Sequence, residues 1–509
     1  MAYQPPPRVA WRRRDSTTTD TIASDTIFGE SISGGRMCRM PFIGREHELA
    51  VLHSMLDRVR AAIGTDRPGQ CILMRGRRRI GKSALAEEFL RRENVPHLFY
   101  TAARTSSEEE LAELLVGVEE CSLPRRAVFA EERPGTWTAA LRLIADAVDD
   151  DSPAIIVIDE VPYLMDRVDS FEGQLQRAWD RYLSRKPILL ILIGSDLSMM
   201  EALDSYDRPF HQRGTQMVIG PLNPAEIQDM LSLDAASALD AALVTGGLPL
   251  VCGEWPPGMP LWDFLESSLS NPVSALLVSA ERSLAAEFPA DAAATDILRA
   301  IGSEERTFTN IARAAGGVSH STLGRAVDLL TTKGIVVGEL PISLRPSRER
   351  RYRICDPYLR FWLRFIQPHM PEIERRRGDL TLKRIRTSWA AWRGRAIEPL
   401  IRDALARRLP DQNLPAAPAI GGYWTRSNDV EIDIVGADRA PVAREILFLG
   451  SVKWLENSPF DSHDLATLAY HRSRLTDAPV PLLAVSRSGV TSRDIDAAYG
   501  PDEILESWR

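Results

Sequence analysis

The chain has 509 residues, 44% hydrophobic and 26% charged, with a formal net charge of −8, the balance of a soluble globular protein long enough for three or four domains. Its longest apolar run, Ile188-Leu189-Leu190-Ile191-Leu192-Ile193, falls far short of the ~20 residues that span a bilayer, and residues 1–40 hold no apolar signal core. The cysteines (Cys38, Cys71, Cys121, Cys252 and Cys355) lack metal-ligand spacing, so disulfides and zinc are not expected and a cytoplasmic protein is.

Residues 1–40, rich in Ser, Thr, Pro and Arg, read as a disordered tail, with Met37 and Met40 as alternative starts. From Phe42 the pattern becomes regular. A helix is expected over 46–62, then Cys71-Ile72-Leu73-Met74, bounded by Pro68-Gly69, predicts a buried strand. Directly after it stands Gly76-Arg77-Arg78-Arg79-Ile80-Gly81-Lys82-Ser83, a phosphate-binding loop of the form G-x-x-x-x-G-K-S leading into a helical segment at 84–90. Its glycines let the backbone curl so that N–H groups meet phosphate oxygens at a helix N-terminus. Lys82 would reach the β- and γ-phosphates of ATP, and Ser83 would ligate Mg²⁺.

A second strand is expected at 97–101, helices to about 149, and a buried strand at Ala154-Ile155-Ile156-Val157-Ile158, ending in Asp159-Glu160. Two carboxylates at the C-terminal edge of a parallel sheet suit hydrolysis: Asp159 would hold Mg²⁺ and Glu160 would polarise the attacking water. A helix over 171–184 precedes the run 188–193, which ends in Gly194-Ser195-Asp196, where Ser195 or Asp196 would bond the γ-phosphate. Arg213 stands before the last strand, Met217-Val218-Ile219, in the place of a finger offered to a neighbouring subunit, with Arg208 close by. That role would imply a homo-oligomer. Apolar runs alternating with helices predict an α/β core, a parallel sheet covered on both faces.

Four stretches together resemble a known family: Phe42-Ile43-Gly44-Arg45-Glu46, the loop Gly76–Ser83, Ile158-Asp159-Glu160-Val161-Pro162-Tyr163-Leu164, and Gly194-Ser195-Asp196-Leu197-Ser198-Met199-Met200. They are similar to the prokaryotic archaeal-type ATPases of the AAA+-like branch of P-loop proteins. The resemblance implies a P-loop core over 41–223, a helical lid over 224–292, a winged helix over 293–368, and a basic linker with a restriction-endonuclease-like domain over 369–509. It also implies that Gly44 and Arg45 help seat the nucleotide and that Gly246-Gly247-Leu248-Pro249 lies in the lid.

The winged helix is expected from the residues as well. Ile297-Leu298-Ile301 and Phe308-Ile311-Ala312 give two short amphipathic helices, and Ser319 to Lys333 a third, capped by Ser319 and stopped by Gly334. Strands at 335–337 and 352–354 would form the wing. The third helix would then enter a DNA groove with His320, Ser321, Thr322, Arg325, Thr331 and Thr332 outward. Between Arg345 and Arg395 fifteen Lys+Arg face five Asp+Glu, a basic footprint on an otherwise acidic chain.

For the last domain the resemblance implies a metal site. Glu398, on a helix from Arg395 to Arg407, Asp433 and Lys453 stand in the acid, acid and lysine positions. Where the family has G-E-x-K-W, this chain has Gly450-Ser451-Val452-Lys453-Trp454. A hydroxyl is a poor ligand for a hard dication. Glu431, on the same strand face as Asp433, is the candidate substitute, and weak or lost cleavage is expected. The leading expectation is an ATPase that couples nucleotide state to DNA engagement. The alternatives are an ATP-gated metal-dependent nuclease and a nucleotide-dependent signalling switch that contacts proteins.

Overall fold

The computed structural model describes residues 42–287, 292–302 and 305–509. The tail expected at 1–40, with Met37, Met40 and Cys38, lies outside the described residues. Residues 42–509 form one unit.

The first half is built on a five-stranded, all-parallel sheet. Its strands are β1 (Gln70–Arg75), β2 (His97–Thr101), β3 (Ala154–Asp159), β4 (Ile188–Gly194) and β5 (Thr215–Val218), in the order β2-β3-β4-β1-β5. Both faces are covered, which is why β3 and β4 are apolar without alternation. Ile72, Met74, Ile155, Val157, Leu189 and Ile191 pack with helices Glu46–Ala61 and Lys82–Glu93. Their sequence neighbours, among them Leu73, Ile156, Ile158 and Leu190, turn to the opposite face and a second core that includes Leu141, Ile144 and Leu175.

Beyond Leu222 one apolar core runs continuously through residues placed by sequence in four separate regions. Leu243 and Leu269, Ile297 and Leu323, Phe361 and Trp389, and Ile434 and Tyr499 all belong to it. Helices Ala292–Ile301, Phe308–Ala314 and His320–Thr332 precede an antiparallel hairpin of β6 (Val336–Glu339) and β7 (Arg351–Ile354). Ser319 caps the third helix by accepting from the Thr322 N–H at 3.2 Å. A mixed sheet follows, in the order β12-β11-β10-β9-β8: β8 (Ala419–Trp424), β9 (Glu431–Ala437), β10 (Ile446–Lys453), β11 (Leu482–Ser486) and β12 (Ala497–Tyr499).

Two features depart from the sequence expectation. The loop between β6 and β7 is bonded to the C-terminal sheet rather than projecting as a wing. Ile342 N–H donates to Gly422 O (2.9 Å), Trp424 Nε1 donates to Glu349 O (2.7 Å), and the Arg351 guanidinium lies 4.4 Å over the Trp424 ring. In addition, the stretch before Glu398 is itself a long helix, Gly378–Ala396, and the helix is interrupted at Ile397, so Glu398 opens a new helix, Glu398–Arg408, instead of lying within one.

Part of the basic stretch is interior. Arg393 is 1% exposed and donates to Asp240 Oδ2 and Glu456 Oε1, each at 2.9 Å, while Arg487 reaches the same Asp240 oxygen at 3.1 Å. Asp240 lies on helix Ala235–Thr245, so this buried cluster joins that helix to the C-terminal region. Removing one partner would leave a charge in an apolar interior. Asp240→Ala is therefore expected to destabilise by about 3–5 kcal/mol, read as a lower urea-denaturation midpoint. Adding Arg393→Met should recover part of that loss.

Candidate active site

The phosphate loop leaves β1 at its C-terminal end. A Cβ on Gly76 would lie 2.5 Å from Ile219 O, so only glycine admits this close approach. Arg79 (φ 64) and Gly81 (φ 89) are left-handed, and these two turns curl the loop onto the N-terminus of helix Lys82–Glu93. Lys82 is buried and folds back to donate to Gly76 O (2.9 Å) and Arg77 O (3.1 Å). Burial pushes its ammonium down, against Glu160 and Asp159, which raise it.

Strand β3 lies two positions from β1, with β4 between them, so Asp159 emerges at the same sheet edge as the loop. Ser83 Oγ donates to Asp159 Oδ2 at 2.5 Å. The hydroxyl and carboxylate expected to flank one Mg²⁺ are thus already together, and with the glycine cradle they fit Mg²⁺–ATP. Burial raises the Asp159 carboxyl, and the Ser83 hydrogen bond opposes it. Glu160 (φ 54) turns away from the strand, and Ser195, just past β4, donates to Glu160 Oε2 at 2.8 Å. Ser195, one of the two candidates for the γ-phosphate contact, places its hydroxyl on the carboxylate expected to polarise water.

Arg45 is buried, and its guanidinium donates to Ile80 O (3.2 Å), Gly220 O (2.6 Å) and Glu48 Oε1 (2.9 Å). It clasps the phosphate loop to the segment after β5. Gly44 precedes it, packed on the Glu226 carboxylate that accepts from Arg45 N–H at 2.6 Å. In the loop itself, Arg77 Nη1 pairs with Asp356 Oδ2 (3.0 Å), Arg78 Nη2 bonds Tyr163 Oη (2.9 Å), and Arg79 lies near Tyr358 and Arg282. Pro249 of the predicted lid sits 3.6 Å from a Cβ built on Gly81.

Arg213 is not brought to this loop. It precedes β5, whose Thr215 lies beside Ile72, so it enters from the opposite edge of the sheet. Its guanidinium is held bidentately by Asp180 (2.8 and 2.9 Å) and by two backbone carbonyls. Arg208 pairs with Glu172 at 2.7 Å.

In the C-terminal sheet, Asp433 accepts from Ser451 Oγ (3.0 Å) and Val452 N–H (2.7 Å), and Arg402 donates to Glu398 Oε2 (3.0 Å) and to Asp433 O (2.7 Å). Lys453 forms an ion pair with Asp464. Burial, aided by Asp433, pushes Glu398 up to about 8, and burial also raises Asp433. Among the described residues no group of three or more His, Cys, Asp or Glu is arranged to hold a metal ion.

Residues 42–238 match the family model described as an ATPase domain predominantly from Archaea, and residues 362–464 match that of archaeal and bacterial proteins of unknown function. The chain carries an archaeal-type P-loop ATPase domain. Over 443 residues it is 26% identical to an uncharacterized protein of Methanocaldococcus jannaschii, covering 85% of this chain and 92% of that one. Among solved structures it is similar to a Walker-type ATPase of Pyrococcus abyssi (18% identity, 64% of this chain and 96% of the other, TM-score 0.44). It is also similar to the Aeropyrum pernix ORC2 protein in its ADPNP–ADP complexes (14%, 66% and 97%, TM-score 0.41). Among the described residues no helix is long and apolar enough to cross a membrane, and the four cysteines there are free thiols.

Sequence reasoning missed Asp356 and Tyr163 as partners of the loop arginines. Asp356-Pro357-Tyr358 is a visible helix start, with Asp356 accepting from the Leu359 N–H at 3.2 Å, but nothing in its spacing points to Arg77. The Ser195–Glu160 contact has a direct consequence in this ATPase domain. A hydrogen bond to a charged group contributes about 1.5–3 kcal/mol, so Ser195→Ala is expected to lower kcat for ATP roughly tenfold to hundredfold. Nucleotide affinity should hold, as measured by steady-state turnover beside equilibrium ATP binding.

Proposed function

We propose that the protein binds ATP with Mg²⁺, hydrolyses it slowly, and uses nucleotide state to set its grip on DNA. Lys82 and the loop N–H groups bind the phosphates, Ser83 and Asp159 hold the metal, and Glu160, positioned by Ser195, takes the proton of the attacking water. Mg²⁺ at this place would neutralise charge on the β- and γ-oxygens.

The observation that carries the coupling is the Arg77–Asp356 ion pair at 3.0 Å. Arg77 belongs to the phosphate loop, whereas Asp356 caps helix Pro357–Phe361, directly after the β6–β7 hairpin. A Cβ on Gly246 would sit 2.8 Å from Asp356 Oδ1, so the lid segment meets the same carboxylate. A γ-phosphate beside Arg77 competes with Asp356 for one guanidinium, and that competition reaches the three-helix module without any long relay.

For DNA, the outer face of helix His320–Thr332 exposes His320, Ser321, Arg325, Thr331 and Thr332, the face a recognition helix presents to a groove. Arg375, Arg376, Lys383 and Arg386 are also exposed, and they suit contact with phosphates. The C-terminal domain, read as restriction-endonuclease-like, then serves as a packing and contact module, with Lys453 and Arg402 engaged as described.

Lys82→Ala is expected to abolish ATP turnover, and Asp356→Asn to narrow the difference in duplex-DNA affinity between the ATP-analogue and ADP states. Turnover that persists in Lys82→Ala would overturn the hydrolytic site. Absence of duplex binding even at low salt, measured by fluorescence anisotropy, would overturn the DNA reading.

A further inference from the structure

A cavity of about 200 Å³ lies where the three-helix module, helix Gly378–Ala396 and the C-terminal sheet meet. Its lining includes three carboxylates, Glu305, Glu398 and Glu431, and three guanidinium groups, Arg360, Arg364 and Arg395. The two sets are not equivalent. The acids are already neutralised from outside the cavity: Arg351 Nη1 reaches Glu431 Oε1 (2.7 Å) and Glu305 Oε2 (3.4 Å), and Arg402 Nη2 reaches Glu398 Oε2 (3.0 Å).

Two of the arginines have no such compensation among the described residues. Arg364 and Arg395 make no ion pair with any described residue, and Arg360 is 5% exposed, with burial and the nearby Arg353 pushing its guanidinium down to about 10. The lining also includes Trp392, 8% exposed, whose indole N–H has no hydrogen-bond partner in the described structure. A buried N–H left unpaired costs about 1–3 kcal/mol, which a bound acceptor would recover. Arg364 belongs to a π-helical turn, Trp362–Ile366, that continues the helix bearing Arg360, a local distortion that recurs at functional sites.

We propose that this cavity binds a phosphomonoester, either the terminal phosphate of a nucleic-acid strand or that of a free nucleoside monophosphate. Two guanidinium groups without ion-pair partners match a dianion, and planar guanidinium donors suit phosphate oxygens. The indole N–H of Trp392 supplies a further donor of fixed direction. Carboxylate ligands bring one charge and two oxygens, a poorer match to this donor set. The site is separate from the phosphate loop and does not rest on ATP hydrolysis.

The test uses the full chain with its phosphate loop saturated by ADP. Three probes are compared by anisotropy or calorimetry: a 5′-phosphorylated duplex oligonucleotide, its 5′-hydroxyl counterpart, and AMP. The phosphorylated end is expected to bind at least tenfold tighter than the hydroxyl end if the phosphate comes from a strand. If it comes from a free nucleotide, AMP should bind while the two oligonucleotides do not differ. In either case the double variant Arg364→Ala/Arg395→Ala should remove the preference, and Trp392→Phe should weaken it several-fold. Undiminished ADP affinity in these variants shows that they fold. If neither probe depends on Arg364 and Arg395, the proposal is wrong, whatever the outcome for ATP turnover.

Discussion

The chemistry of this protein hangs from the C-terminal ends of three neighbouring parallel strands. Because β4 separates β1 from β3, the loop after β1, the carboxylates after β3 and the serine after β4 converge on one edge. No side chain has to reach far. Ser83 touches Asp159 and Ser195 touches Glu160, and both contacts follow from strand register. The six buried residues of β3 and seven of β4 make a slip costly, since sliding either strand would move apolar side chains into the carboxylate edge. Hydrophobic burial of the sheet thus holds the polar site in place.

Arginine joins the parts around that sheet. Arg45 ties the phosphate loop to the chain beyond β5, Arg77 ties it to Asp356, Arg393 ties the helix at 235–245 to the C-terminal region, and Arg351 ties the hairpin to β9. Each presents a fork of donors that meets several acceptors at once. These pairs differ in worth. Arg393–Asp240 is buried and its removal would strand a charge, whereas Arg77–Asp356 is partly exposed. A partly exposed pair contributes little to stability. It can therefore be exchanged for a competing anion at small cost, which is what a nucleotide-responsive contact requires.

Much of the sheet and the loop was legible because both are local patterns. An apolar run followed by G-x-x-x-x-G-K-S fixes a strand, a turn and a helix within about twenty residues, and Ser319 with Gly334 bounded its helix in the same way. The partners of the arginines were not legible. Arg77 and Asp356 are 279 positions apart, and no period or spacing links them. Charge counting has the same limit: Arg351, Arg353 and Arg393 add to the basic total of 345–395, yet they pair with Glu431, Glu339 and Asp240 inside the structure. A wing hairpin was expected from two short apolar strands, but the fate of its loop depended on Gly422 and Trp424, some eighty residues on.

Ser451 shows how one local change alters the C-terminal cluster. A carboxylate at that position would face Asp433 across two adjacent strands and would need a cation between them. The serine donates its hydroxyl to Asp433 instead, and Val452 N–H adds a second donor, so that carboxylate is satisfied by the protein itself. Arg402 does the same for Glu398. Lys453 is paired with Asp464. The acids are thus met by internal donors, whereas Arg364 and Arg395 beside them make no ion pair with any described residue. The electrostatic preference of this corner therefore points toward an anion, opposite to what its acidic residues suggest when counted alone.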